Sequence, residues 1–148
     1  IFAYETDGLG SYNLMDDANV PSLLSLPYLE YIEKDNPLYK NTRAFILSNK
    51  NKNYFEGKAA KGIGSDHTPE DYIWHIALAI ELMTSIDHSE KDEILAFFEK
   101  THADTYLCHE GFHKDDSFKY TRDWFSWSNS MFVEAVLRYI GLDLVEVK

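Results

Sequence analysis

Residues 69–86, PEDYIWHIALAIELMTSI, decide how the chain folds. Read as a helix, the stretch places Ile73, Ile76, Ala77, Ile80 and Met83 on one face, while Trp74, Leu78, Ala79 and Leu82 cover much of the rest. A helix apolar nearly all round is buried on several sides, so other elements must wrap it. Downstream, residues 89–101 open with a Ser-x-x-acid capping pattern at Ser89 and Asp92 and carry Ile94, Leu95, Phe97 and Phe98. A last helix is predicted from an Asp123 cap through Trp124, Trp127, Met131, Ala135 and Tyr139 to a stop at Gly141. Upstream, residues 37–48 read as helix, and 16–34 as a helix interrupted by Pro21 and Pro27. Residues 1–15, 49–68 and 104–121 read as loops, and the tail 142–147 gives the best of several weak strand signals. The expected fold class is all-α, with loops of a length that compact domains seldom keep without a use.

Composition bounds the function. The 148 residues are 45% apolar and 15% aromatic, enough to fill the core of one modest domain and too much for disorder. Asp and Glu number 25 against 14 Lys and Arg, a formal net charge of -11. That balance excludes a phosphate-tracking nucleic-acid binder and disfavours docking on anionic lipid heads. A neutral ligand such as a carbohydrate stays open. Cys108 is the single cysteine, so no internal disulfide forms. No apolar run approaches the ~20 residues of a membrane helix. The chain opens at Ile1 and enters a polar stretch at once, with no signal peptide, so it reads as the interior of a longer protein.

Two local patterns suggest chemistry. His109-Glu110-Gly111-Phe112-His113 spells H-E-x-x-H, which on a helix lets two histidines share zinc while the glutamate polarises water; Glu134 is a nominal third ligand. Gly111 and the polar residues that follow argue against that helix. Cys108 beside His109 reads as a lone buried thiol, and His67, His75, His88 and His102 lack ligand spacing. Separately, Asp7, Asp16, Asp17 and Glu110 sit near Tyr4, Tyr12, Phe112, Phe118, Trp124 and Trp127. Carboxylates bind sugar hydroxyls and aromatic faces cover a pyranose, although an Asp at a helix start is also an ordinary cap.

Four longer stretches carry more information. Residues 4–29 (YETDGLGSYNLMDDANVPSLLSLPYL), 54–78 (YFEGKAAKGIGSDHTPEDYIWHIAL), 108–112 (CHEGF) and 120–132 (YTRDWFSWSNSMF) resemble, in order, the C-terminal part of glycoside hydrolase family 125. The resemblance implies a C-terminal fragment, 1–148, of an (α/α)6 barrel that removes terminal mannose as an inverting exo-α-1,6-mannosidase, with no metal or other cofactor. Its partners would be a mannose-containing glycan and the remainder of its own catalytic domain. Inversion needs an acid on the leaving oxygen and a base on water at the opposite sugar face, their carboxyls ~6.5–9.5 Å apart. By motif match Glu110 is the base, and the acid lies upstream of Ile1. Asp16, Asp17 and Asn19, with Asp7 in the preceding loop, are expected to hold the mannose; His109 to orient Glu110 or a hydroxyl; and Trp124 to line the cleft. Gly111 stands where the family pattern suggests Ser, and His75 and Asp123 where it suggests prolines. Two other readings predict different chemistry: a zinc metallopeptidase holding one metal per chain, and a non-catalytic helical carbohydrate-binding module.

Overall fold

Ten consecutive residues, His75–Thr84, form the central helix, and all of them are buried. The computed structural model describes residues 1–142. In chain order these hold β1 (Glu5–Thr6), β2 (Tyr12–Asn13), α1 (Pro37–Ile46), β3 (Tyr54–Glu56), β4 (Lys61–Ile63), β5 (Tyr72–Trp74), α2 (His75–Thr84), α3 (His88–Thr101), β6 (Gly111–His113), β7 (Asp116–Thr121) and α4 (Ser126–Tyr139). The strands make three antiparallel sheets, β1-β2, β3-β4 and β5-β6-β7. Helix α2 packs against α4, α3 and the strands β4 and β5. No helix among the described residues is long and apolar enough to cross a membrane.

The all-α expectation, helical hairpins of an (α/α)6 barrel, is therefore corrected to a mixed α/β arrangement, with four helices and seven short strands among the described residues. Residues 69–74 do not join the central helix. Tyr72, Ile73 and Trp74 pair instead with His113, Phe112 and Gly111, and Phe112 pairs onward with Tyr120. Aromatic and β-branched side chains suit a half-buried ladder, and their partners lie far along the chain, beyond any local period. The expected loop 49–68 holds the β3-β4 hairpin, and 1–15 holds β1-β2. Residues 16–34 form turns, with a cis Val20–Pro21 bond, rather than a helix. Asp16 takes the backbone N–H groups of Leu23 and Leu24 on its two carboxylate oxygens, at 2.8 and 2.9 Å. A side chain has replaced the helical carbonyls as acceptor, and two prolines supply no donor.

The helices differ from expectation mainly at their starts. In α1, Asn36 caps the Leu38 N–H ahead of Pro37, and Tyr39, Thr42 and Ile46 face inward. The cap of α3 is Asp87, which accepts from Ser89, two residues before the expected position. Helix α4 begins at Ser126, and Asp123 does not cap it. Of the expected tail strand, residues 143–147 lie outside the described residues.

Candidate active site

Glu110 follows a loop that is held from both sides. The backbone N–H of Cys108 donates to Asn129 Oδ1 and its carbonyl accepts from Asn129 Nδ2, each at 3.1 Å. The N–H of His109 donates to His75 Nδ1 at 2.9 Å, and its carbonyl accepts from Ser128 Oγ at 2.9 Å. Glu110 itself donates its N–H to the Thr121 carbonyl at 3.2 Å, where β6 meets β7. The first turns of α2 and α4 thus fix Cys108 and His109, β7 fixes Glu110, and the Glu110 carboxylate emerges with 15% of its side chain exposed. Its Oε1 lies 3.1 Å from Arg122 Nε.

The facing wall is built from the 16–19 turn. Asn53 Nδ2 donates to the Asp16 carbonyl and Asn51 Oδ1 accepts the Asp16 N–H, both at 3.1 Å. Ala18 donates its N–H to the Gly64 carbonyl at 3.0 Å. Position 64 admits only glycine, because a Cβ there would sit 1.9 Å from the Tyr72 carbonyl oxygen. Asp17 Oδ1 accepts from both the backbone and the side-chain nitrogen of Asn19, at 2.9 and 2.6 Å.

Between these walls lies a cavity of about 420 Å³ lined by Asn19, His67, Trp74, Glu110, Arg122, Phe125 and Trp127. It offers a carboxylate, an amide and the partly exposed indole of Trp127, groups that can hydrogen-bond and stack on a pyranose, while Trp74 is buried behind them with its Nε1–H on Thr68 Oγ1. A larger cavity, about 690 Å³, lies between α1 and the ends of α2 and α3. Two ion pairs close across it, Arg43 with Glu90 and Lys61 with Glu93, each at 2.9 Å, and no aromatic side chain among the described residues lines it. The smaller cavity is the candidate site.

The expected site residues divide. Glu110 and Asn19 meet at the cavity, and Asp17 stands behind Asn19. Asp16 is wholly buried in its turn, where burial pushes its carboxyl up to about 6. Asp7 lies in the exposed β1-β2 turn and accepts the N–H groups of Leu9 and Ser11. Trp124 is 67% exposed and does not line the cavity; Trp127, the second residue of α4, does. The His109 ring is fully buried, stacked 3.9 Å from the Tyr120 ring, and its Nδ1 donates to the Arg122 carbonyl at 3.1 Å. Sequence reading passed over Trp74, Arg122, His75, Ser128 and Asn129 as site elements. Ser128 is buried and Asn129 half-buried in the first turn of α4, and polar residues at a helix start read in sequence as ordinary caps, so no local signal points to them.

The zinc and thiol readings meet a different geometry. The H-E-x-x-H pentapeptide runs from a loop into β6, so the one-turn helical spacing of its histidines is missing. His113 lies edge-on to Tyr72 and takes the Asp115 N–H on Nδ1, while Glu134 accepts from Tyr28 and pairs with Arg138. Among the described residues no three His, Cys, Asp or Glu side chains gather as metal ligands. Burial pushes the Cys108 thiol up to about 12, far from a ready thiolate.

The cavity thus brings one carboxylate, Glu110, beside two tryptophans and the Asn19 amide. Residues 1–137 match the family described as metal-independent alpha-mannosidase (GH125), and the chain belongs to that family. Over its whole length it is 44% identical to the Schizosaccharomyces pombe meiotically up-regulated gene 157 protein, of which it covers 28%. A solved Streptococcus pneumoniae structure, described as a metal-independent alpha mannosidase in a non-productive substrate complex with alpha-1,6-mannobiose, is 47% identical. It superposes on 94% of this chain with a TM-score of 0.92. The chain spans about a third of the length of these relatives, 28% of one and 33% of the other.

Proposed function

We propose that the full-length protein carrying this chain is an inverting exo-α-1,6-mannosidase that releases terminal mannose from a glycan, and that these residues supply the C-terminal part of its catalytic domain. The observation that carries the reading is the Glu110 carboxylate, fixed through its backbone by α2, α4 and β7 and turned into the cavity that Asn19, Trp74 and Trp127 share.

Glu110 is the general base. Its free oxygen takes a proton from a water that attacks the mannosyl anomeric carbon, while a carboxylic acid on a segment outside this chain protonates the departing glycosidic oxygen. The C–O bond to the aglycone breaks as the bond to water forms on the opposite face, so the product appears with inverted configuration. Asn19, aligned by Asp17, donates or accepts at sugar hydroxyls, and the Trp127 indole covers the apolar face of the ring. Asp16 and Gly64 act through the turn that places Asn19.

The test is Glu110→Gln in the full-length protein, which keeps shape and removes the base. We expect kcat on an α-1,6-linked mannobiose to fall by about 10²–10⁴-fold, with mannoside binding retained. NMR of the wild-type reaction should show the inverted anomer first. Near-normal turnover by Glu110→Gln refutes the base; first appearance of the retained anomer refutes inversion; mannoside binding by the wild type without any hydrolysis favours a binding module.

A further inference from the structure

Arg122 touches the candidate base in two independent ways, and its backbone is in a conformation that arginine seldom adopts. Its Nε lies 3.1 Å from Glu110 Oε1. Its carbonyl accepts the Nδ1–H of His109, the residue just before Glu110, at 3.1 Å. Its guanidinium lies 5.5 Å over the Phe125 ring, which holds the side chain against the cavity wall. Its φ is +56°, in the left-handed region that glycine fills without cost and a side chain fills with strain. Were Arg122 only a link between β7 and α4, glycine would serve that backbone better.

The left-handed turn has a geometric effect. It breaks the β7 strand after Thr121, whose carbonyl takes the Glu110 N–H, and sends the next carbonyl toward the His109 ring. The Arg122 side chain then comes back across the ladder to the carboxylate. One residue thereby fixes Glu110 from its preceding imidazole and from its own oxygen.

We propose that Arg122 is a positioning residue for Glu110: its guanidinium holds Oε1 so that the second oxygen alone faces the attacking water. This rests on the general-base reading of Glu110. A carboxylate free to rotate presents either oxygen at varied angles, and loss of a near-attack geometry lowers kcat while leaving ground-state sugar contacts intact.

The test uses R122G, R122K and E110Q in the full-length protein, with kcat and KM on an α-1,6-linked mannobiose and thermal melting of each variant. R122G suits the backbone and removes the whole side chain, which is largely exposed, so it should melt within a few degrees of wild type, or above it. Its kcat should fall about 10-fold or more with KM within about twofold, and R122K, which keeps the cation but not the planar fork, should recover part of the loss. R122G turning over within about twofold of wild type, or losing only KM, overturns the proposal. E110Q separates the two readings: an active E110Q defeats the base and Arg122 with it, whereas an inactive E110Q beside a fully active R122G defeats Arg122 alone.

Discussion

The Nδ1 of His75 accepts the backbone N–H of His109 at 2.9 Å across 34 residues, and so ties the first turn of α2 to the loop that carries Glu110. Thr101 Oγ1, 2.9 Å from His75 Nε2, gives its own hydrogen to the Phe97 carbonyl. It therefore accepts from His75, which fixes the neutral tautomer with Nε2–H. The ring is packed on Phe98 and Phe112, and burial lowers its pKa to about 3. This histidine is a structural acceptor placed where helix, sheet and candidate site meet.

Replacing His75 with Phe keeps the packing but leaves the His109 N–H without its acceptor, while Thr101 Oγ1 still donates to the Phe97 carbonyl. A buried polar group so orphaned costs roughly 1–3 kcal/mol, and we expect a loss of that size in urea unfolding. The substitution also changes the pH profile. Below 6.5 the unfolded chain binds a proton at this imidazole that the folded chain refuses until about 3, so wild-type stability declines as pH falls through that window. His75→Phe should lack that contribution; an unchanged slope would show that the folded imidazole is not held neutral.

Gly64→Ala should be among the most damaging single changes in the chain. The new Cβ would lie 1.9 Å from the Tyr72 carbonyl oxygen and 2.9 Å from the Phe55 ring. A backbone atom cannot yield as a side-chain tip can, and we expect a loss above about 3 kcal/mol, read by denaturant unfolding. Because Gly64 also holds Ala18, mannoside affinity should weaken in any folded remnant.

Glu81 lies buried in α2, and burial pushes its carboxyl from an ordinary 4.5 up to about 7. Between those values the folded chain keeps a proton that the unfolded chain has released, so this group's contribution to stability falls as pH rises. Glu81→Gln removes the titration. Its stability relative to wild type should improve by roughly 1–3 kcal/mol between pH 5 and pH 8. Equal differences at both pH values would place the carboxylate's charge in a better-solvated setting.

Trp127 lines the cavity and Trp124, three residues earlier, stands largely in solvent. Losing a stacked indole that covers a sugar face forfeits about 1–2 kcal/mol of binding, or about 5–30-fold in KM. Trp127→Ala in the full-length protein should show that rise, and Trp124→Ala a smaller one. The reverse order in steady-state kinetics would move the sugar to the other side of α4.

What was legible in the sequence follows from physics that acts within a few residues. The apolar surround of 75–84 marked the buried helix because a 3.6-residue period needs no distant partner. The helix expected over 37–48 likewise forms, from Pro37 to Ile46. The ordered motifs, from the 16–19 turn to Glu110, held the resemblance to the family to which the chain belongs. The strands were not legible: β5 and β6 are three residues each, too short for alternation to show, and they exist because Ile73 and Phe112 find each other across the fold. Asp16 reads in sequence as a mannose ligand or a helix cap beside Asp17. Only the folded turn hands it two backbone N–H groups and leaves Asn19 at the cavity wall. Arg122 carries no local mark at all. Its value comes from a left-handed turn at the end of β7 that swings a guanidinium to Glu110, and a contact between residues on separate strands is decided by pairing, which no neighbouring residue encodes.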